Sequence, residues 1–266
     1  MTTGRAGILP FTGTASPVCT GLVSQGQGWM ARRRARGWGR IWRWGGMVLA
    51  VLVAIPLILT PVYLVVDPVS VPMLERYLTG RPVVREWRDI DQISDRLKAA
   101  VILSEDGQFC RHWGVDLGAL RDEVEKLMAG EDARGASTIT MQVARNLFLW
   151  NDQSFVRKGL EIPLALYIDL VMPKKRIMEI YLNIAEWGPD GQFGAVAGAR
   201  AAFGIEPQDL DWRTASLLTT ALPNPMVRLP GRPSAGMQRI AGIIAARARQ
   251  YGERAACVGE NGQLAL

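Results

Sequence analysis

The longest feature of the hydrophobic pattern is a charge-free apolar run over residues 47–66. About 20 apolar residues suffice to cross a bilayer as a helix, so residues 46–66 are predicted to form a transmembrane helix. Pro56 and Pro61 lie inside it and are tolerated there, because neighbouring groups re-satisfy the freed backbone. Beyond Asp67 the pattern changes to an amphipathic one. Ile93, Leu97, Ala100 and Val101 recur at helical spacing and predict a helix over 91–104. Ser137 is placed to cap a second helix running to about Leu149, with Ile139, Val143 and Leu147 on one face. Ser154 caps a third over 154–171, kinked at Pro163, and Pro173 fits the first turn of a fourth. That fourth helix carries the stripe Ile177, Ile180, Tyr181 and Ile184. Three more are predicted over 195–203, closed by Gly204, over 212–222, stopped by Pro223-Asn224-Pro225, and over 237–251. No segment alternates convincingly as a strand, and no internal repeat is visible. Residues 67–89, with Pro68, Pro72 and Pro82 around a short turn at Leu74-Glu75-Arg76-Tyr77, read as an extended connector. The expected architecture is one mainly α domain over 90–252 behind a single N-terminal membrane helix, with a C-terminal tail over 253–266.

Charge orients this picture. The 266 residues carry a net charge of +6, and Arg32, Arg33, Arg34, Arg36, Arg40 and Arg43 crowd just before the apolar run. The positive-inside rule keeps them in the cytoplasm and exports everything after Asp67. Trp38, Trp42 and Trp44 fit an interfacial belt on that side. The basic cluster therefore speaks for a membrane surface, not for nucleic acid. A cleaved signal peptide is the competing reading, but the run is long for one and no small-x-small site precedes Asp67. A twin-arginine signal is not supported by the residues after Arg32-Arg33. Residues 1–45 are expected to be a basic cytoplasmic tail, its first 30 residues rich in Gly, Ser and Thr and disordered, with Met30 an alternative start. Cys19 falls on the cytoplasmic side, Cys110 and Cys257 on the exported side. The latter two could in principle pair, but no spacing pattern points to a Cys110–Cys257 bond. One histidine and three scattered cysteines make no metal cluster.

Four blocks carry candidate chemistry. In Ser104-Glu105-Asp106-Gly107-Gln108-Phe109-Cys110-Arg111-His112-Trp113-Gly114, Glu105 sits where a buried helix meets a loop. A carboxylate held by core packing at such an end can be tuned as a general base, although Asp106-Gly107 alone would equally mark a helix stop. Asp106, Phe109 and His112 would shape the loop. In Gly135-Ala136-Ser137-Thr138, the glycine leading into two hydroxyls at a helix start offers free N–H groups to an anion. Gln142 and Arg145 follow at one and two turns, the arginine suited to phosphate oxygens. In Arg157-Lys158-Gly159-Leu160-Glu161, Arg157 and Glu161 share a helix face. A carboxylate beside two cations suits charge stabilisation better than proton donation. The basic start Lys174-Lys175-Arg176 reads mainly as a solvated face, Tyr181 and Asn183 as core anchors, and Gly188, Gly191 and Gly194 as turns.

In order, these blocks resemble the glycosyltransferase family 51 domain of bacterial peptidoglycan synthases. The shared patterns are Glu-Asp-x-x-Phe-x-x-His-x-Gly, Gly-x-Ser-Thr-Ile-x-x-Gln, Arg-Lys-x-x-Glu, Lys-x-x-Ile-x-Glu-x-Tyr-Leu-Asn and Leu-Pro-Asn-Pro, spread over about residues 70–250. Asn146-Leu147-Phe148-Leu149-Trp150 and Asn183-Ile184-Ala185-Glu186-Trp187 are similar to the monofunctional biosynthetic transglycosylases of that family. No Ser-x-x-Lys or Lys-Thr-Gly occurs, and too few residues follow Pro225 for a penicillin-binding domain. The resemblance implies a lysozyme-like helical glycosyltransferase domain that polymerises lipid II and releases undecaprenyl diphosphate with inversion. It implies Glu105 as general base and Glu161 as the group assisting the leaving diphosphate, directly or through a divalent metal (Mg or Mn) that is not strictly required. It further implies Ser137, Thr138, Gln142, Arg145, Arg157 and Lys158 as substrate contacts. The partners implied are lipid II, the growing glycan chain, the inner membrane and other cell-wall synthases. Three residues depart from the family pattern. Met141 replaces a glutamine and removes a polar contact, Arg145 replaces a lysine, and Gln153 stands where relatives carry arginine. A lytic transglycosylase and a non-catalytic membrane scaffold are the alternatives, the first leaving Arg157-Lys158 unexplained and the second the paired carboxylates.

Overall fold

The computed structural model describes residues 27–131, 135–150, 152 and 154–266. The reading of residues 1–26 as disordered, the side assigned to Cys19 and the departure at Gln153 concern residues outside that set. The described chain divides into two units, the first ending at Val53 and the second spanning Ala54–Leu266. Helix α1, Gln27–Val62, includes residues 27–30, which the composition had assigned to a disordered tail. Its stretch Trp42–Val62 is long and apolar enough to cross a membrane, and its side chains are almost all exposed. Four residues of the predicted span, 63–66, instead leave the helix in turns.

Most of what remains of Ala54–Leu266 is helical. Residues 67–89 are not an extended connector. They hold α2, Val71–Leu78, capped by Ser70, and the short strand β1, Val84–Arg85. Helix α3, Asp95–Glu105, follows, and residues 97–103 are buried on every side. A helix apolar all round belongs inside a core. Lys98 is the exception, and it is accommodated by an ion pair to Asp95 at 2.7 Å. Helix α4, Leu117–Met128, was not predicted and leaves Leu117, Val124 and Met128 exposed. Helices α5, Ile139–Phe148, α6, Phe155–Val171, and α7, Lys174–Ile184, pack against one another. Two further strands, β2, Glu186–Gly188, and β3, Gln192–Phe193, complete a sheet of order β1-β3-β2. Strands of two or three residues are too short to show alternation, which is why the pattern showed none. Helices α8, Gly194–Phe203, α9, Trp212–Thr219, and α10, Ala235–Tyr251, close the domain. Gly204 ends α8 in the left-handed conformation, where only glycine is free of strain. The central α3 lies against α9, α10 and the 3₁₀ turn Gly252–Val258 that ends α10.

Cys110 and Cys257 form a disulfide, with Cα atoms 5.7 Å apart across 147 residues. This corrects the expectation from sequence. The two cysteines are brought together only by the packing of Gly252–Val258 on α3, which no spacing rule encodes. Such bonds persist in oxidising compartments. Replacing both cysteines by serine is expected to lower unfolding stability by about 2–5 kcal/mol, because so long a loop loses much entropy on closure. Urea denaturation of the oxidised protein against the double variant measures it.

Candidate active site

Glu105 is the last residue of α3. Gln142, on α5, donates its side-chain N–H to Glu105 Oε2 at 3.2 Å, and Tyr181, on α7, donates its hydroxyl to Gln142 Oε1 at 3.0 Å. The relay fixes which way the Gln142 amide points and aims the Glu105 head. Burial pushes the Glu105 carboxyl above its ordinary range. The Gln142 bond and the charges of Arg145 and Arg228 pull it part of the way back, while Asp106 pushes it up. Burial, and then the charge of Glu105, hold the Tyr181 phenol well above its usual value, so it stays a donor. Because the folded pKa of Glu105 exceeds the unfolded one, its ionisation costs stability as pH rises from the ordinary carboxylate range through the raised value. A group that destabilises its own fold when charged is a functional candidate.

Asp106 turns inward. Its carboxylate accepts the Ile139 N–H at 2.9 Å and faces His112 Nε2 at 2.9 and 3.0 Å. As an acceptor it requires the proton on Nε2, a tautomer assigned from this network. The fully buried Phe109 lies edge-on to His112 and carries the Lys174 ammonium 4.6 Å above its ring. Asp106 thus joins the loop after α3 to the first turn of α5.

Thr138, not Ser137, is the N-cap of α5, accepting the Met141 N–H at 3.1 Å. Its hydroxyl donates to the Gly114 carbonyl at 2.6 Å and is 2 % exposed. That commits its proton within the fold, while Thr138 still lines the cavity that contains Glu105. Gly114 has φ +76°, and a side chain there would meet the Ala165 carbonyl of α6, so this approach requires glycine. Ser137, freed from capping, accepts a hydrogen bond from Lys158. Met141 is wholly buried with Val115 and Ala165. This position faces packing, so its departure from the glutamine pattern removes no contact at the site.

On α6, Arg157 and Glu161 form a buried ion pair, with Lys158 Nζ 3.6 Å from the other Glu161 oxygen. Asp152 stands 3.7 Å from Arg157. Glu161 is 1 % exposed and both its oxygens face cations. A metal ion would have to displace one of them, so the residues present do not fit a resident divalent metal there. Among the described residues no group of three His, Cys, Asp or Glu side chains could hold one. The basic start of α7 is consumed by ion pairs, with Lys174 to Asp169, Lys175 to Asp91 and Arg176 to Glu179 and Asp67. Asn183 is structural, bridging the Arg88 backbone and the Glu179 carbonyl.

One cavity reaches Glu105 and another reaches its partner Gln142. The first, of about 420 Å³, is lined by Glu105, Asp106, Asp116, Ser137 and, from the end of the chain, Arg247, Tyr251 and Arg254. The other, of about 410 Å³, is lined by Gln142, Arg145, Asn146, Asp152, Arg157 and Tyr181. Arg228, Arg247 and Arg254 were not singled out from sequence. Arg228 lies in a loop without pattern, whereas Arg247, Tyr251 and Arg254 follow at helical spacing, a signal that was present but undistinguished from a solvated face.

A buried, raised carboxyl in an arginine-bearing cavity, on a helical domain preceded by an apolar helix long enough to cross a membrane, marks the candidate catalytic centre of an enzyme. Residues 73–249 match the family model described as Transglycosylase. The chain is 52 % identical over 203 residues to the biosynthetic peptidoglycan transglycosylase of Rhodopseudomonas palustris strain TIE-1, covering 76 % of this chain and 86 % of that relative. It is 50 % identical over 230 residues to the protein of that description from Mesorhizobium japonicum, covering 85 % and 96 %. A third, from Agrobacterium fabrum, is 49 % identical over 214 residues, covering 80 % and 94 %. The chain belongs to the transglycosylase family and is a glycosyltransferase of peptidoglycan synthesis.

Proposed function

We propose that the protein polymerises lipid II into glycan strands and acts as a glycosyltransferase only. The observation that carries this reading is the position of Glu105, raised by burial, in one cavity and hydrogen-bonded to Gln142, which lines a second. Glu105 takes the proton of the acceptor 4-hydroxyl as that oxygen bonds to the anomeric carbon of the donor chain. The bond from that carbon to the undecaprenyl diphosphate breaks on the opposite face, and the electron pair leaves with the diphosphate, inverting the centre. Arg145 and Arg157 line the cavity that Gln142 also lines, and Lys158 bonds Ser137 and stands beside Glu161. Fixed cations aimed at developing charge in a site sheltered from water are the largest lever available to such a reaction. Glu161 keeps Arg157 and Lys158 in place without itself meeting solvent.

The same reading puts the N-terminus in the cytoplasm and the domain after Asp67 on the periplasmic face of the inner membrane. The arginine cluster before the span and the Cys110–Cys257 bond both support it. Val156, Leu160, Leu166 and Leu170 of α6 are exposed, and Tyr167 donates to the Leu57 carbonyl of α1. This apolar surface beside the membrane helix suits a substrate whose tail stays in the bilayer.

Incubation of the full chain in detergent with labelled lipid II tests the proposal. Glycan polymer is the expected product; cleavage of finished glycan with no polymer would show a lytic enzyme instead. The pH profile carries a second expectation. A base must be unprotonated, so the rate falls on acidification, through an ionisation above the ordinary glutamate range. Gln142→Ala removes a bond that lowers this pKa, moving the acid limb to higher pH, with about tenfold or more loss at neutral pH.

A further inference from the structure

Arg247 lies near the end of α10 and Arg254 in the 3₁₀ turn Gly252–Val258, and both face the cavity that contains Glu105. Neither forms an ion pair among the described residues, although Glu105, Asp106 and Asp116 line the same cavity. Arg247 donates only to the Leu103 carbonyl, at a long 3.4 Å. The Arg254 guanidinium is 4.6 Å from the centre of the Tyr251 ring, which orients its plane and leaves its N–H edges available to an acceptor. Cys257, three residues on, is bonded to Cys110 in the loop that follows Glu105. The disulfide therefore ties this cationic wall to the loop that follows the carboxylate.

We propose that Arg247 and Arg254 form an anion-binding subsite for the acceptor chain, taking a phosphate or carboxylate oxyanion. The inference rests on the proposed polymerisation and adds to it. Donor and acceptor both carry a lipid diphosphate and a carboxylate-bearing peptide, so two anionic chains must be seated at once. Arg145 and Arg157 stand in the leaving-group cavity, and Arg247 and Arg254 supply the matching charge in the cavity where the acceptor hydroxyl meets Glu105. Guanidinium pairs suit oxyanions because their paired N–H groups match two oxygens.

Steady-state kinetics with lipid II compare wild type with the double variant Arg247→Ala/Arg254→Ala. The expected result is a rise of about tenfold or more in KM with kcat within about threefold, two charge-assisted contacts being lost without touching the base. The double lysine variant should recover most of the affinity, and an unchanged thermal midpoint confirms folding. Repeating the comparison with lipid II lacking its peptide assigns the anion: a persisting KM penalty means the diphosphate, a vanishing one the peptide carboxylates. Calorimetric titration with inorganic diphosphate reads the subsite without turnover, as a second binding event, beside the one at Arg145 and Arg157, that is present in wild type and missing from the double alanine variant. Unchanged KM together with unchanged diphosphate binding would overturn the subsite. A wild type that makes no polymer but shows the diphosphate difference would overturn the polymerase reading and spare the subsite.

Discussion

Glu105→Gln removes glycan polymerisation by about 10²–10⁴-fold in kcat, the range supplied by a positioned base, while the thermal midpoint at neutral pH holds or rises. Both halves follow from one geometry. The glutamine fills the same space and can still meet Gln142, so packing at the end of α3 is kept. What is lost is the charge whose burial raises the Glu105 pKa, and with it the stability that ionisation costs above the ordinary carboxylate range. A purely structural Glu105 would behave otherwise, with stability and activity falling together. Polymer yield and a melting curve on one preparation separate the cases, and a fully active Glu105→Gln protein would remove the base from the mechanism.

The second large effect falls on Glu161. Replacing it by glutamine leaves the buried Arg157 guanidinium without its carboxylate. Breaking a buried ion pair from one side is expected to cost about 3–5 kcal/mol, and loss of ordered cations at the departing diphosphate should lower kcat by about 10²–10³-fold. The double variant Arg157→Gln/Glu161→Gln divides the two contributions. With both charges gone, most of the stability should return, because no uncompensated charge stays buried. Activity should not return. Denaturant midpoints and polymerisation rates for the two single variants and the double one complete the cycle. Recovery of activity in the double variant would mean that the pair serves only the fold.

Much of the helical order was legible because caps and stops are local. Ser154 begins α6 and Gly204 ends α8 where the sequence places them, each through a contact within a few residues. What was illegible depends on distance along the chain. The Cys110–Cys257 bond spans 147 residues, and the Gln142–Glu105 contact joins helices that periodicity describes one at a time. Adjacent hydroxyls misled for a related reason. Ser137 and Thr138 are equivalent caps by composition, and the choice between them is made by the Gly114 carbonyl, 24 residues away from Thr138. Met141 likewise looked like a site position until Val115 and Ala165 enclosed it. Residues such as Arg228 carry no local mark, since only the field at Glu105 reveals them.

The bonds from Asp106 to the start of α5, from Thr138 to Gly114, and the close pass of Gly114 over α6 form one continuous seam. Three blocks of sequence that look separable are in effect a single inherited part. Grafting any one of them from a distant relative would bring a side chain fitted to partners that are no longer present. Chimaeras should therefore succeed only when the stretch from Glu105 to Glu161 is exchanged whole.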